Sequence, residues 1–403
     1  MRNPRLYGLL AAIALAGSAP LLTACPKPKP AKIKQKVEKP KGPDATQLLT
    51  EARAAAAAGD IDTADKKFQE AYKLAPDYAI VAEHVDALIN GKRVQAAVQT
   101  AQAYYDAQAT DARGSHLYAH ALIALGDFAT ALAVVEELIA LDDNDAAAHE
   151  KRGRALVLAG RVPEGIEELQ KAVAIDPKNA GFLVELGSAL HKGGRVNEAA
   201  LQLRAAIQLD PENGRAHLLL GLALRDDAEI EEAIVYFTKA TKLLPDGRPW
   251  FELGIVLNKR GDDLGAEDSL AEAVKRTPDS SLYWYAYGEM LRFNKKYDEA
   301  VEAYARSMAL PDTHPKASAK RGLALAEAGR IDEAEVFLTE AIRAEPDNPY
   351  VHFNLGVVYN KRKNWKASIS EFEAFLKLAD PADGERGKAD QCIKAAKKKK
   401  PCT

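Results

Sequence analysis

Glycines set in an apolar, helix-forming context recur at Gly153, Gly187, Gly221, Gly254, Gly288, Gly322 and Gly356, at intervals of 34, 34, 33, 34, 34 and 34 residues. Twelve residues after most of them stands an alanine: Ala199, Ala233, Ala266, Ala300 and Ala334. Gly165 and Ser368 fill that slot in the first and last of the set. Twelve further on comes proline, at Pro177, Pro211, Pro245, Pro278 and Pro346, inside short polar strings such as Asp210-Pro211-Glu212-Asn213. A fixed period of this length marks a repeated supersecondary unit. Each unit predicts two antiparallel helices, A and B. Small residues sit where the two cross, so the axes approach at the near end of the usual 8–10 Å. Leu203, Phe237, Leu270, Tyr304, Leu338 and Phe372 fill the next turn of helix B. The proline has no N–H and restricts the residue before it, so it ends helix B. Turns such as Gly194-Arg195 and Gly329-Arg330 separate A from B, with glycine in the C-cap role.

Seven units therefore run 146–179, 180–213, 214–246, 247–280, 281–314, 315–348 and 349–383. Upstream the pattern weakens. Gly126 and Ala131 mark a unit at 112–145, Gly91 and Ala97 one near 78–111, and Ala64, Phe68, Ala71 and Pro76 the first, near 45–77. The second and third lack the proline. This pattern resembles the tetratricopeptide repeat. The resemblance implies an all-α, right-handed solenoid of about ten helix-turn-helix units, degenerate over 45–145 and well defined over 146–383. Residues 384–403 supply a capping helix, which a solenoid needs over its last apolar face, and a basic tail.

In solenoids of this family helix A lines a concave groove, through the second, fifth, ninth, twelfth and thirteenth positions of each repeat. Carried onto this chain, the groove receives Arg215, Leu218 and Arg225, then Arg248, Phe251 and Asn258, then Tyr285, Glu289, Arg292 and Phe293, and finally Tyr350, Phe353 and Asn360. Aromatic residues with arginine are the composition of binding hot spots, and an asparagine amide can hold an extended backbone. Trp250 and Trp284 fall at the fourth position, where the family packs a core tryptophan. The lysine and asparagine clamp of chaperone-binding members is not reproduced cleanly in any repeat.

The start of the chain reads differently. Arg2 and Arg5 precede an apolar run from Leu6 to Leu22 broken by Gly8, Gly17 and Pro20, which is the layout of a secretory signal over 1–24. The string Leu22-Thr23-Ala24-Cys25 resembles the lipobox of bacterial lipoproteins, and implies a lipidated Cys25 in the cell envelope. Pro26 follows it, in place of the aspartate that resembles an inner-membrane retention signal; this favours the outer membrane, facing the periplasm. Residues 25–44 carry lysine at 27, 29, 32, 34, 36, 39 and 41, with five prolines, a composition expected of an extended tether without a core.

Charge sharpens the choice of partner. The formal net charge is −3, yet the first 25 residues carry +2, residues 26–43 carry +6 and 384–403 carry +5, leaving −16 on the repeats. An acidic body repels phosphate and argues against nucleic acid. Of the three cysteines, Cys25 would take the lipid. Cys392 and Cys402 remain as an even pair in an oxidising compartment, where a disulfide and two free thiols both stay open.

Neither a glycine-rich phosphate loop nor a G-x-S-x-G, C-x-x-C or H-E-x-x-H string occurs. His116 and His120 share a helix face at i, i+4 spacing, but lack an evident third ligand, and are read as surface histidines rather than a metal site. The expectation is a non-catalytic, cofactor-free scaffold or assembly factor. It would be lipid-anchored and bind proteins or extended peptide segments in its groove, resembling the tetratricopeptide lipoproteins of pilus, secretion or gliding machinery. An accessory regulator of an envelope enzyme acting on peptidoglycan or exported polysaccharide is the alternative.

Overall fold

A computed structural model describes residues 43–402; Cys25, the signal-like segment and most of the lysine- and proline-rich stretch lie outside the described residues. The described chain forms helices throughout. The first three pairs are α1 (Ala45–Ala57) and α2 (Ile61–Leu74), α3 (Tyr78–Asn90) and α4 (Val94–Ala107), α5 (Ala112–Leu125) and α6 (Phe128–Leu141). Next come α7 (Ala146–Leu158) and α8 (Val162–Ile175), α9 (Ala180–Lys192) and α10 (Val196–Leu209), α11 (Gly214–Asp226) and α12 (Ile230–Leu243). Then follow α13 (Arg248–Arg260) and α14 (Asp263–Arg276), α15 (Ser281–Phe293) and α16 (Tyr297–Met308). The last are α17 (Ala317–Glu327) and α18 (Ile331–Ala344), α19 (Pro349–Lys361) and α20 (Trp365–Leu378), and a single helix α21 (Arg386–Lys397).

Each helix packs on its successor, and the odd-numbered helices from α3 to α13, and α17 with α19, also pack on one another. This is an α-solenoid of ten helical pairs in which the odd, or A, helices form the inner layer. Local chemistry sets the boundaries. Asp60, Asp127, Asp145, Asn213, Asp262 and Asn348 each accept a backbone N–H at the start of a helix, satisfying an otherwise orphaned donor. Left-handed residues end the A helices. Six are glycine, whereas Lys92, Ala228, Lys295 and Lys363 adopt the same positive φ with a side chain.

The crossing of A and B is as tight as the small residues require. A Cβ built on Gly221 would come within 2.7 Å of the Phe237 ring, and one on Gly288 within 2.8 Å of Tyr304. Phe237, Tyr304, Leu203, Leu338 and Phe372 are fully buried, each contributing on the order of 1.5–3 kcal/mol by removal of apolar surface from water. Rings at the fourth position tie several units to the turn before them, whereas Trp250 Nε1 is buried without a hydrogen-bond partner among the described residues. Trp284 Nε1 donates to the Pro278 carbonyl at 2.9 Å, and His217 Nε2 lies 2.9 Å from the Pro211 carbonyl.

One unit keeps the 34-residue period but shortens its second helix. The helix α16 stops at Met308, and residues 309–316 form a longer link to α17. Pro311 disfavours helix at Leu310, and Ser281 takes up the link by accepting the His314 N–H at 2.6 Å. Lys92 after α3 also lies 3.7 Å from Asp279 before α15. At the far end α21 covers Phe372 and Phe375 through Ala389, Cys392 and Ile393.

Candidate functional site

The inner layer opens most usefully between α13 and α15. A recess of about 430 Å³ there is lined by Phe251, Ile255 and Asn258 from the first helix, and by Leu282, Tyr285, Ala286, Glu289, Arg292 and Phe293 from the second. Leu270 of α14 forms part of the floor. This volume suits one or two large side chains, within the range of small-ligand sites. Phe293 is 61% exposed, Leu282 46% and Ile255 37%, so three large apolar groups stand at the rim without a covering layer. Phe251 is held by stacking on Tyr283, with ring centroids 4.6 Å apart. Tyr285 stacks on His314 at 3.6 Å.

The charges in the wall neutralise one another. Glu289 accepts hydrogen bonds from the Tyr304 hydroxyl and from the Lys320 ammonium, the latter at 2.9 Å. Arg292 donates to Glu327 at 3.1 Å and lies 3.5 Å from Glu289. Burial works against the Glu289 carboxylate, but Lys320, Tyr304 and Arg292 outweigh it and hold its pKa below the ordinary value. Burial raises Tyr304, reinforced by Glu289, so its hydroxyl stays protonated. The recess thus shows a partner apolar surface beside paired charges, with Arg292 Nε buried and without a hydrogen-bond partner among the described residues.

Of the thirteen groove positions expected, six meet in this recess: Phe251, Asn258, Tyr285, Glu289, Arg292 and Phe293. Arg248 lies exposed at the start of α13. Arg215 and Arg225 point into ion pairs with the neighbouring A helix. Arg215 reaches Glu185 on α9 at 3.1 Å, and Arg225 pairs with Glu252 on α13 and with Asp226 at 3.0 Å. Burial pushes the Glu252 carboxyl up, against the pull of Arg225 and Arg248. Leu218 is a correction: it is 5% exposed and belongs to the apolar core, because the tight α11 leaves it no open side. The last set also needs correcting. Asn360 is 4% exposed, and its Oδ1 accepts the Cys402 N–H at 2.7 Å. Phe353 packs edge-on against Phe372 and Phe375, and the Tyr350 hydroxyl donates to Asp383 at 2.7 Å. The chain itself covers the end of the groove. Cys392 and Cys402 are joined as a disulfide.

Residue-by-residue reading missed Ile255 and Leu282, although they occupy the ninth and second positions of their repeats. Position alone would have found them. A smaller recess of about 190 Å³ between α7 and α9 gathers Arg154, Glu185, Lys192 and Arg215, again paired charges. A larger one, about 600 Å³, lies between α1 and α3, but its walls are an Arg53–Glu83 ion pair and small residues such as Ala56, Gly59 and Gly91. It lacks an aromatic anchor. His116 and His120 turn to separate carboxylates, Asp145 at 2.8 Å and Asp86 at 3.3 Å, so they do not converge on one ligand. Among the described residues no group of three or more His, Cys, Asp or Glu side chains could hold a metal ion. None of the described helices is long and apolar enough to cross a membrane.

Comparison with known proteins places this geometry. Profiles described as tetratricopeptide repeat match residues 118–180, 251–315 and 319–383, and again 214–246; one described as TPR repeat matches 187–227. Among curated relatives, anaphase-promoting complex subunit 3 of Schizosaccharomyces pombe is 27% identical over 123 residues, covering 30% of this chain and 18% of the relative. A TPR repeat-containing protein of Dictyostelium discoideum is 31% identical over 91 residues, covering 21% of this chain and 35% of the relative. The match thus spans well under half of either relative's length. Among solved structures, a monomeric mutant of IFIT1 with m7Gppp-AAAA superposes with a TM-score of 0.51 at 17% identity, covering 83% of this chain and 81% of that one. That likeness speaks for the fold alone. With the repeat profiles matching well over half of the sequence, in register with the helical pairs, the chain belongs to the tetratricopeptide repeat family.

Proposed function

We propose that this protein is an envelope scaffold that holds partner proteins through the recess between α13 and α15, with the anchor supplied by a lipid on Cys25. The observation that carries the groove reading is the convergence of six groove positions on one recess rimmed by exposed Ile255, Leu282 and Phe293. Isolated exposed apolar residues need no explanation, but a concave cluster backed by aromatic rings is what interaction sites are built from. Because Glu289 and Arg292 are already paired, the favoured partner is an extended or helical segment that inserts a large aliphatic or aromatic side chain. The anchor reading rests on the string Leu22-Thr23-Ala24-Cys25 and the lysine- and proline-rich residues that follow it. A lipid there, with the acidic repeats beyond, suits a protein that collects components of an envelope machine near the outer membrane.

Both parts are open to test in cells. A photo-crosslinking residue at Phe293 should capture a partner, while the same residue at Leu264, which is 72% exposed on α14, should not. Adding Ile255→Asp and Leu282→Asp should abolish the crosslink with helicity unchanged. Equal capture from Leu264, or capture that survives both substitutions, would move the site elsewhere. Cys25→Ser should release the protein from the membrane fraction; continued membrane association would remove the anchor. Identification of the captured partner as a structural component or an envelope enzyme separates the scaffold from the regulator.

A further inference from the structure

We infer that the concave face of the last repeat is a second binding position for extended peptide backbone, kept filled by the chain's own C-terminal segment until the Cys392–Cys402 disulfide is reduced. Asn258 and Asn360 occupy the same, twelfth, position of their repeats. The first is exposed at the open recess, whereas the second is 4% exposed. What covers Asn360 is Cys402. Its backbone N–H donates to the Asn360 Oδ1 at 2.7 Å, and its side chain joins the cluster that contains Tyr350, Phe353 and Val357. An asparagine side chain accepting the N–H of a non-helical segment is the contact a groove of this kind would offer a partner.

The present occupant uses only half of that amide. Asn360 Nδ2 is buried and has no hydrogen-bond partner among the described residues, an exception among buried polar groups that asks for a reason. An extended segment running past Asn360 would present both an N–H and a carbonyl, and would satisfy both ends of the amide. The tail is therefore an incomplete ligand. Beyond α21 its backbone bonds reach back only to Ala395 and Ala396. The disulfide to Cys392, with Cα atoms 4.8 Å apart, therefore fixes Cys402 over Asn360. Tethering of this sort raises the effective concentration of a weak contact without strengthening it. Cys402 is partly exposed, so a dithiol reductant can reach its sulfur. The reductant's two thiols give up two electrons and two protons, the protein disulfide becomes two cysteine thiols, and the reductant closes as its own disulfide.

The test uses the full chain as oxidised protein, as protein reduced with dithiothreitol, and as the Cys402→Ser variant. On reduction, amide exchange in residues 398–402 should rise at least tenfold while residues 387–396 keep their protection. A labelled peptide with the sequence of residues 398–403, carrying serine at 402, should bind the reduced chain and the Cys402→Ser chain at least tenfold more tightly than the oxidised chain. Asn360→Ala in the Cys402→Ser background should abolish that binding, and Phe293→Ala should not, which keeps this site distinct from the α13–α15 recess. Unchanged tail exchange, absence of peptide binding, or binding indifferent to Asn360→Ala would overturn the inference. So would loss of α21 protection on reduction, since the disulfide would then be holding the helix rather than the tail.

Discussion

Replacing Gly288 with alanine joins packing to the site in a single perturbation. A Cβ there would lie 2.8 Å from Cε1 and 2.9 Å from Cδ1 of Tyr304, whereas carbon atoms rest at about 3.5–4.0 Å. The ring must therefore withdraw by roughly 0.7–1 Å. Tyr304 has nowhere to go: it is fully buried and its hydroxyl is bonded to Glu289. Overpacking of this kind costs about 1–3 kcal/mol, and alanine returns up to about 1 kcal/mol of helix propensity. Subtracting the two leaves about 0–2 kcal/mol, and the fixed Tyr304 ring puts the expectation at the upper end, a loss of about 2 kcal/mol. In a solenoid that loss should fall on one unit and its neighbours. Hydrogen exchange should rise in residues 281–314 and stay level in 112–179. The Tyr304 displacement should also disturb Glu289 in the wall of the recess and weaken partner capture. The control is Gly387→Ala in α21, where a new Cβ meets nothing within 4 Å; this should stabilise by up to about 1 kcal/mol. Urea unfolding followed by circular dichroism measures both. If Gly288→Ala proves neutral or stabilising, the close crossing of A and B is not what glycine serves here.

Three further outcomes follow from individual contacts. Ala228 ends α11 with φ +65°, a conformation that costs an L-residue about 1–2 kcal/mol, so Ala228→Gly should raise the unfolding free energy by about 0.5–1 kcal/mol in a denaturant titration after the added chain entropy is counted. Trp284→Phe keeps an aromatic side chain but removes one ring of the indole and the bond to the Pro278 carbonyl, and should cost at least about 0.5–1.5 kcal/mol; an unchanged midpoint would make that bond incidental. Arg113 above all, with help from the Tyr104 hydroxyl, holds the Asp111 carboxyl at about 2. As pH falls from about 4, the unfolded chain takes up this proton before the folded one does, so its share of stability is lost towards pH 2, and Asp111→Asn should flatten the unfolding curve between those two values.

The fold could be read before any coordinates because each of its devices is local and recurs. Gly187 faces Leu203 and Gly221 faces Phe237 for the same steric reason, so a pattern of three residue types carries the whole solenoid. Legibility faded where the turn chemistry changed. Lys92 ends α3 in a left-handed conformation that usually marks glycine, and Pro311 shortened α16 in a repeat whose spacing had looked regular.

The site was legible only in part, and the reason is physical. A position rule states which side chains face inward, but not which are still available. Arg215 and Arg225 face inward and are consumed by Glu185 and Glu252, which the rule does not include, since both stand at the sixth position of a neighbouring repeat. Leu218 faces inward and is sealed by the core. Asn360 faces inward and is taken by a residue 42 positions later in the chain, a distance over which no local pattern speaks. What remains open is the recess between α13 and α15, where Glu289 is held by Tyr304 and Lys320 and Arg292 by Glu327. Specificity in this groove therefore lies less in the residues that face it than in those left uncommitted. By that logic, a charge-reversed Glu185→Lys should open a new basic position at Arg215 without touching the recess at Phe251 and Phe293. A partner that inserts an apolar side chain between α13 and α15 should bind Glu185→Lys and the unmodified chain alike, as measured by crosslinking from Phe293. A change there would mean that the paired charges do take part in recognition.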